Sequence, residues 1–115
     1  NLTAIWLDDN QIKEMNWDYC SENLIFISLS NNKIKEMNWK GCPKTLATIW
    51  LSDNKIQELN WEGCSENLTE IYLGYNIKEI NWKYVPWNIQ YIYSKDLMNK
   101  YVEYKKSRND VPELA

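Results

Sequence analysis

The chain has 115 residues, enough for one modest domain or a fragment of a larger protein. Thirteen basic against sixteen acidic side chains argue against nucleic acid as the main partner, because phosphate binding is driven by clustered Lys and Arg. With no His, imidazole metal sites and Ser-His or Cys-His catalytic pairs are excluded, and no apolar run approaches the roughly 18 residues a membrane helix needs.

From Leu2 onward the chain falls into units. Residues 2–23 read LTAIWLDDNQIKEMNWDYCSEN, 24–45 read LIFISLSNNKIKEMNWKGCPKT and 46–67 read LATIWLSDNKIQELNWEGCSEN. Residues 68–88 read LTEIYLGYNIKEINWKYVPWN, and a decaying fifth unit opens IQYIYS at Ile89. The first three units have 22 residues and the fourth has 21. Such self-similarity predicts a solenoid of stacked coils.

Each unit carries L-x-x-I-x-L-x-x-N-x-I, which resembles the leucine-rich repeat over residues 1 to about 94. Unit four departs from that pattern, since Ile77 follows Asn76 directly, and unit five has Ser94 where the second strand leucine belongs. The second half of each unit, I-x-E-(M/L/I)-N-W-x-x-(C/V), is similar to the short repeats of bacterial and giant-virus leucine-rich proteins. The resemblance implies a right-handed coil with a parallel sheet on its concave face. It also implies a buried asparagine ladder of Asn10, Asn32, Asn54 and Asn76.

Within a unit, I-x-L alternation fits a short strand with two side chains pointing inward. The expected inward stacks are Leu2, Leu24, Leu46, Leu68 and Ile89, then Ile5, Ile27, Ile49, Ile71 and Ile92, then Leu7, Leu29, Leu51 and Leu73. Ile12, Ile34, Ile56 and Ile77, with Met15, Met37, Leu59 and Ile80, close the far wall. A second asparagine column, Asn16, Asn38, Asn60 and Asn81, either closes the opposite turn or is solvated.

Trp17, Trp39, Trp61 and Trp82 read as a stacked aromatic spine, the alternative being a functional patch on the back. Cys20, Cys42 and Cys64 share a position with Val85, so a small reduced core residue fits better than a disulfide or metal site. Reduced thiols suggest an intracellular setting. A processed secretory chain would also lack an initiator Met, so localisation stays open. Glu14, Glu36, Glu58 and Glu79 form a charged edge whose repulsion Lys13, Lys35 and Lys78 are expected to offset. The N-L-T sequons at Asn1 and Asn67 fall on the repeat seam and read as coincidence.

Outward strand positions are where the units stop agreeing. One column is Ala4, Phe26, Thr48, Glu70, Tyr91, and the next is Trp6, Ser28, Trp50, Tyr72, Tyr93. Beyond them lie Asp8, Ser30, Ser52, Gly74 and then Asp9, Asn31, Asp53, Tyr75. The expected partner-binding residues are Trp6, Asp8, Phe26, Trp50, Asp53, Glu70, Tyr72, Tyr91 and Tyr93. Aromatic rings are rigid contact area, and the carboxylates suit a basic protein or peptide. The competing reading is cross-strand packing that only stabilises the sheet.

Residues 95–108 read as a capping helix, over roughly 96–106, with Ser94 as its N-cap. Leu97, Met98, Tyr101, Val102 and Tyr104 would pack on the fifth coil, leaving Lys100, Lys105, Lys106 and Arg108 in solvent. Residues 109–115 read as a flexible tail. The first edge has no cap, so self-association there, or a missing neighbouring repeat, is expected. The functional expectation is a non-enzymatic protein-binding module, with no cofactor, metal, nucleic acid or membrane. The alternative is a structural part, for example of a virus particle, that makes contact through a tryptophan face or the open ends.

Overall fold

The computed structural model describes residues 2–74 and 77–109. Asn1, Tyr75, Asn76 and residues 110–115 lie outside the described residues, and with them the fourth rung of the ladder and most of the expected tail.

The alternating segments form strands β1 (Ala4–Trp6), β2 (Phe26–Ser28), β3 (Thr48–Leu51), β5 (Glu70–Leu73) and β7 (Tyr91–Ile92). They pair in parallel in the order β1-β2-β3-β5-β7. Ile5, Ile27, Ile49, Ile71 and Ile92 face one another in register along the stack. On the opposite wall β4 (Glu58–Leu59) and β6 (Glu79–Ile80) make a second parallel pair. The chain is therefore a solenoid-like repeat of about four turns, and helix α1 (Lys95–Asn109) follows the last strand.

The core is the expected set of stacks. Leu24, Leu46 and Leu68 are buried, as are Ile27, Ile49 and Ile71, with Leu29, Leu51 and Leu73 beside them. Ile34, Ile56, Met37 and Leu59 close the far wall. Each buried aliphatic contributes about 1.5–3 kcal/mol, and each relies on the neighbouring coil for its cover. The first coil is less covered on its strand side. Leu2, expected in the stack, is 62% exposed, while Ile5, Leu7 and Ile12 are half-buried.

The asparagines hold the turns as the pattern requires. Asn32 Nδ2 donates to the carbonyls of Leu29 at 2.9 Å and of Leu7, one coil back, at 3.0 Å. Its Oδ1 accepts from the Ile12 N–H at 3.1 Å. Asn54 repeats the set with Leu51, Leu29 and Ile34. Both asparagines are buried, so a shorter polar residue would strand backbone groups without water. Asn10, on the first coil, is exposed and bonds within its own turn, to Leu7 O and Asp8 O. The second column caps the opposite turn. Asn16, Asn38 and Asn81 accept through Oδ1 from the N–H two residues ahead, at 2.9, 3.0 and 3.1 Å.

The tryptophans stack as a spine. Ring centroids of Trp17–Trp39, Trp39–Trp61 and Trp61–Trp82 are 6.2, 6.2 and 6.5 Å apart, with interplanar angles of 17°, 10° and 18°. Trp17, Trp39 and Trp61 are buried, and Trp82 is half-buried.

Helix α1 caps the last coil. Leu97 N–H donates to Ser94 Oγ at 3.4 Å, which places Ser94 at the N-cap. Leu97 and Tyr101 are buried against the coil, and Tyr104 stacks 6.1 Å from Trp82, extending the spine. Two expectations for α1 fail. Val102 is 49% exposed, because it lies on the helix flank away from the packed stripe of Leu97, Tyr101 and Tyr104. Lys105 is not free in solvent: its Nζ sits 5.1 Å from the Tyr101 ring and 5.5 Å from the Trp87 ring. The helix also runs to Asn109, past the expected end.

Candidate functional site

The outward columns meet in one continuous aromatic row. In register Ala4 faces Phe26 and Trp6 faces Ser28, so Phe26 lies diagonal to Trp6 and to Trp50. Its ring centroid is 5.0 Å from each. Trp50 lies 5.1 Å from Tyr72, Tyr72 stacks on Tyr93 at 3.7 Å, and Tyr93 lies 5.8 Å from Tyr91. The buried Ser28 provides no ring at its register position, and Phe26 links the two tryptophans from the next column. Sequence reasoning named all these rings but not that diagonal link. Neighbouring outward residues of adjacent strands can touch across one step, which column order alone hides.

The row is anchored at its middle and open at its ends. Phe26, Trp50 and Tyr72 are half-buried against each other. Trp6 is 64%, Tyr91 55% and Tyr93 43% exposed. Trp50 Nε1 is buried and has no hydrogen-bond partner among the described residues. Tyr93 donates its hydroxyl to Glu70 Oε1 at 3.1 Å. The adjoining Tyr72 hydroxyl, partial burial and the Glu70 carboxylate together push the Tyr93 pKa above the usual tyrosine value, so it stays a neutral donor.

Two expected acidic contacts have structural work. Asp53 has φ +57°, as Asp9 and Asn31 have +59° and +58°. That left-handed conformation is one that Asp and Asn tolerate better than most residues. The column that looked free is therefore restricted by the turn, and Asp53 belongs to it. In the column beside it, a Cβ at Gly74 would lie 3.1 Å from the Asp53 N atom, so that glycine permits a close backbone approach. Asp8 accepts a hydrogen bond from Ser28 Oγ, and Asp9 accepts one from Asn31 Nδ2, tying the first coil to the second. Asp8 remains beside the row, at the edge of the face that Trp6 opens.

The other candidate chemistry is the cysteine column. Cys20, Cys42 and Cys64 are free and half-buried in one column. Burial raises the pKa of all three, pushing Cys42 up to about 11 and Cys64 further. Such thiols are poor nucleophiles and poor metal ligands at neutral pH. Among the described residues no group of three or more His, Cys, Asp or Glu could hold a metal ion. The glutamate edge stacks as expected, with Glu58 opposite Glu79, but Lys13, Lys35 and Lys78 form no ion pair with it among the described residues. No helix of the described chain is long and apolar enough to cross a membrane.

No family model, curated protein or solved structure matches the chain.

Proposed function

We propose that the chain is a leucine-rich repeat module that binds a protein or peptide of basic character through its sheet face. The observation that carries this reading is the row itself: six touching rings, with Trp6, Tyr91 and Tyr93 open to solvent beside Asp8 and Glu70. Cross-strand packing accounts for its half-buried middle, Phe26, Trp50 and Tyr72, but not for large rings held open at both ends. Rigid aromatics bury area at small entropic loss, and flanking carboxylates favour lysine and arginine on the partner. The right-handed coil and concave sheet of that repeat class belong to the same proposal, supported by the L-x-x-I-x-L-x-x-N-x-I units and the Asn32 and Asn54 bonds. The action is binding without catalysis, since among the described residues the raised thiols and the carboxylates assemble no nucleophile with a base.

Selection of peptides from a random library on the immobilised protein tests the proposal. Selected sequences should carry Lys or Arg, and Trp50→Ala and Tyr72→Ala should each weaken them by about tenfold or more, a hot-spot loss. Unchanged affinity in both variants would remove the sheet face as the site.

A further inference from the structure

The turns opposite the sheet enclose an open groove of about 1100 Å³ across the first three coils. Its wall carries Lys13, Lys33, Lys35, Lys40 and Lys55, all exposed. None has a carboxylate within 4 Å among the described residues. The placement of these lysines follows from the repeat. Lys33 and Lys55 hold equivalent positions in neighbouring coils, and their backbone N–H groups donate to Ile12 O and Ile34 O at 2.8 and 2.9 Å. Lys13 and Lys35 hold another equivalent pair. Coil spacing near 4.8 Å thus sets like charges side by side on a rigid frame, in a protein whose net charge is −3. Beneath them the floor includes the buried Met37 and Trp39, with Gly63 packed beside Trp39.

We infer that this groove is a second binding site, which takes an acidic peptide segment in extended form. An incoming carboxylate would sit between lysines that have no carboxylate within ion-pair distance among the described residues. Glu14, Glu36 and Glu62 line the same groove. They disfavour a continuous phosphate backbone, whereas a peptide can space its carboxylates to avoid them. The groove shares no residue with the aromatic row, so it does not depend on the sheet-face proposal.

The test is fluorescence anisotropy with a labelled peptide of alternating glutamate and alanine. Saturable binding that weakens with salt is expected. Lys33→Glu with Lys55→Glu should weaken it by about tenfold or more, while Lys106→Glu with Arg108→Glu, the same charge change on exposed α1 positions, should change it by less than about twofold. Lys33→Gln with Lys55→Gln should show a smaller loss in the same direction, which guards against a reversed-charge variant that fails to fold. Equal losses from the two reversed pairs, absence of saturable binding, or displacement of the peptide by a lower concentration of oligouridine would each overturn the inference.

Discussion

The indole N–H of Trp39 donates to the backbone carbonyl of Asn60 at 2.7 Å, one coil along, while the equivalent N–H of Trp61 is buried with no acceptor among the described residues. Trp17 makes the same bond to Asn38 O at 2.6 Å. The spacing of each bonded pair is 21 residues, but only 20 separate Trp61 from Asn81, because the fourth unit is one residue short. The spine survives the deletion as a stack but loses its hydrogen bond.

That difference can be measured. Trp39→Phe and Trp61→Phe lose similar buried volume, yet only the first breaks a hydrogen bond and leaves the Asn60 carbonyl unpaired. Denaturant unfolding should show Trp39→Phe costing about 1–3 kcal/mol more than Trp61→Phe. Equal costs would mean that the Trp39 bond contributes nothing.

The turn conformation makes a second prediction. Gly63 has φ +88°, a left-handed conformation that side-chain-bearing residues rarely adopt, while a Cβ there would meet the Trp39 backbone at 3.4 Å, an ordinary contact. Gly63→Ala should cost about 1–2 kcal/mol. Asp53→Gly should stay within about 0.5 kcal/mol of the parent, whereas Asp53→Val should cost about 1–2 kcal/mol or more. Asp53→Asn keeps the turn and removes the charge, so its effect on a basic peptide reads the electrostatic contribution alone.

The cap depends on one hydroxyl. Tyr101 OH donates to Pro86 O at 2.7 Å and accepts from Ile89 N–H at 3.1 Å, both buried. Tyr101→Phe strands both backbone groups and should cost about 2–3 kcal/mol. Hydrogen exchange in α1 should accelerate more than exchange in β2 and β3. Uniform acceleration would mean that the helix does not open separately from the coils.

The thiols predict the direction of an alkaline effect. Burial keeps Cys42 protonated to about 11, against an ordinary value of 9.0. The folded state thus holds a proton that the unfolded state releases first. The stability associated with the neutral thiol is whole below 9 and lost as pH rises toward 11. Replacing Cys42 with valine, the residue the fourth coil has at this position, should flatten the decline of melting temperature over that window. An unchanged slope would place the thiol in water.

The strand register, the hydrophobic stacks and the asparagine bonds were legible because each is a demand repeated in every coil. Leu24, Ile27 and Asn32 recur at fixed spacing, and local chemistry leaves them one role. The turn at Asp9, Asn31 and Asp53 was hidden because Asp and Asn read equally well as charge, polarity or left-handed backbone. Val102 and Lys105 were misplaced because a single helix carries no repeat to show its register against the last coil. The Phe26 link was missed because it depends on ring orientation across strands.

The most direct test of the sheet-face proposal is a two-dimensional nitrogen–proton spectrum of the seven indoles during titration with a selected basic peptide. Trp6 and Trp50 should shift in a saturable way, while the buried Trp17, Trp39 and Trp61 stay in place. Saturable binding that moves Trp82 and Trp87 but leaves Trp6 and Trp50 still would contradict it.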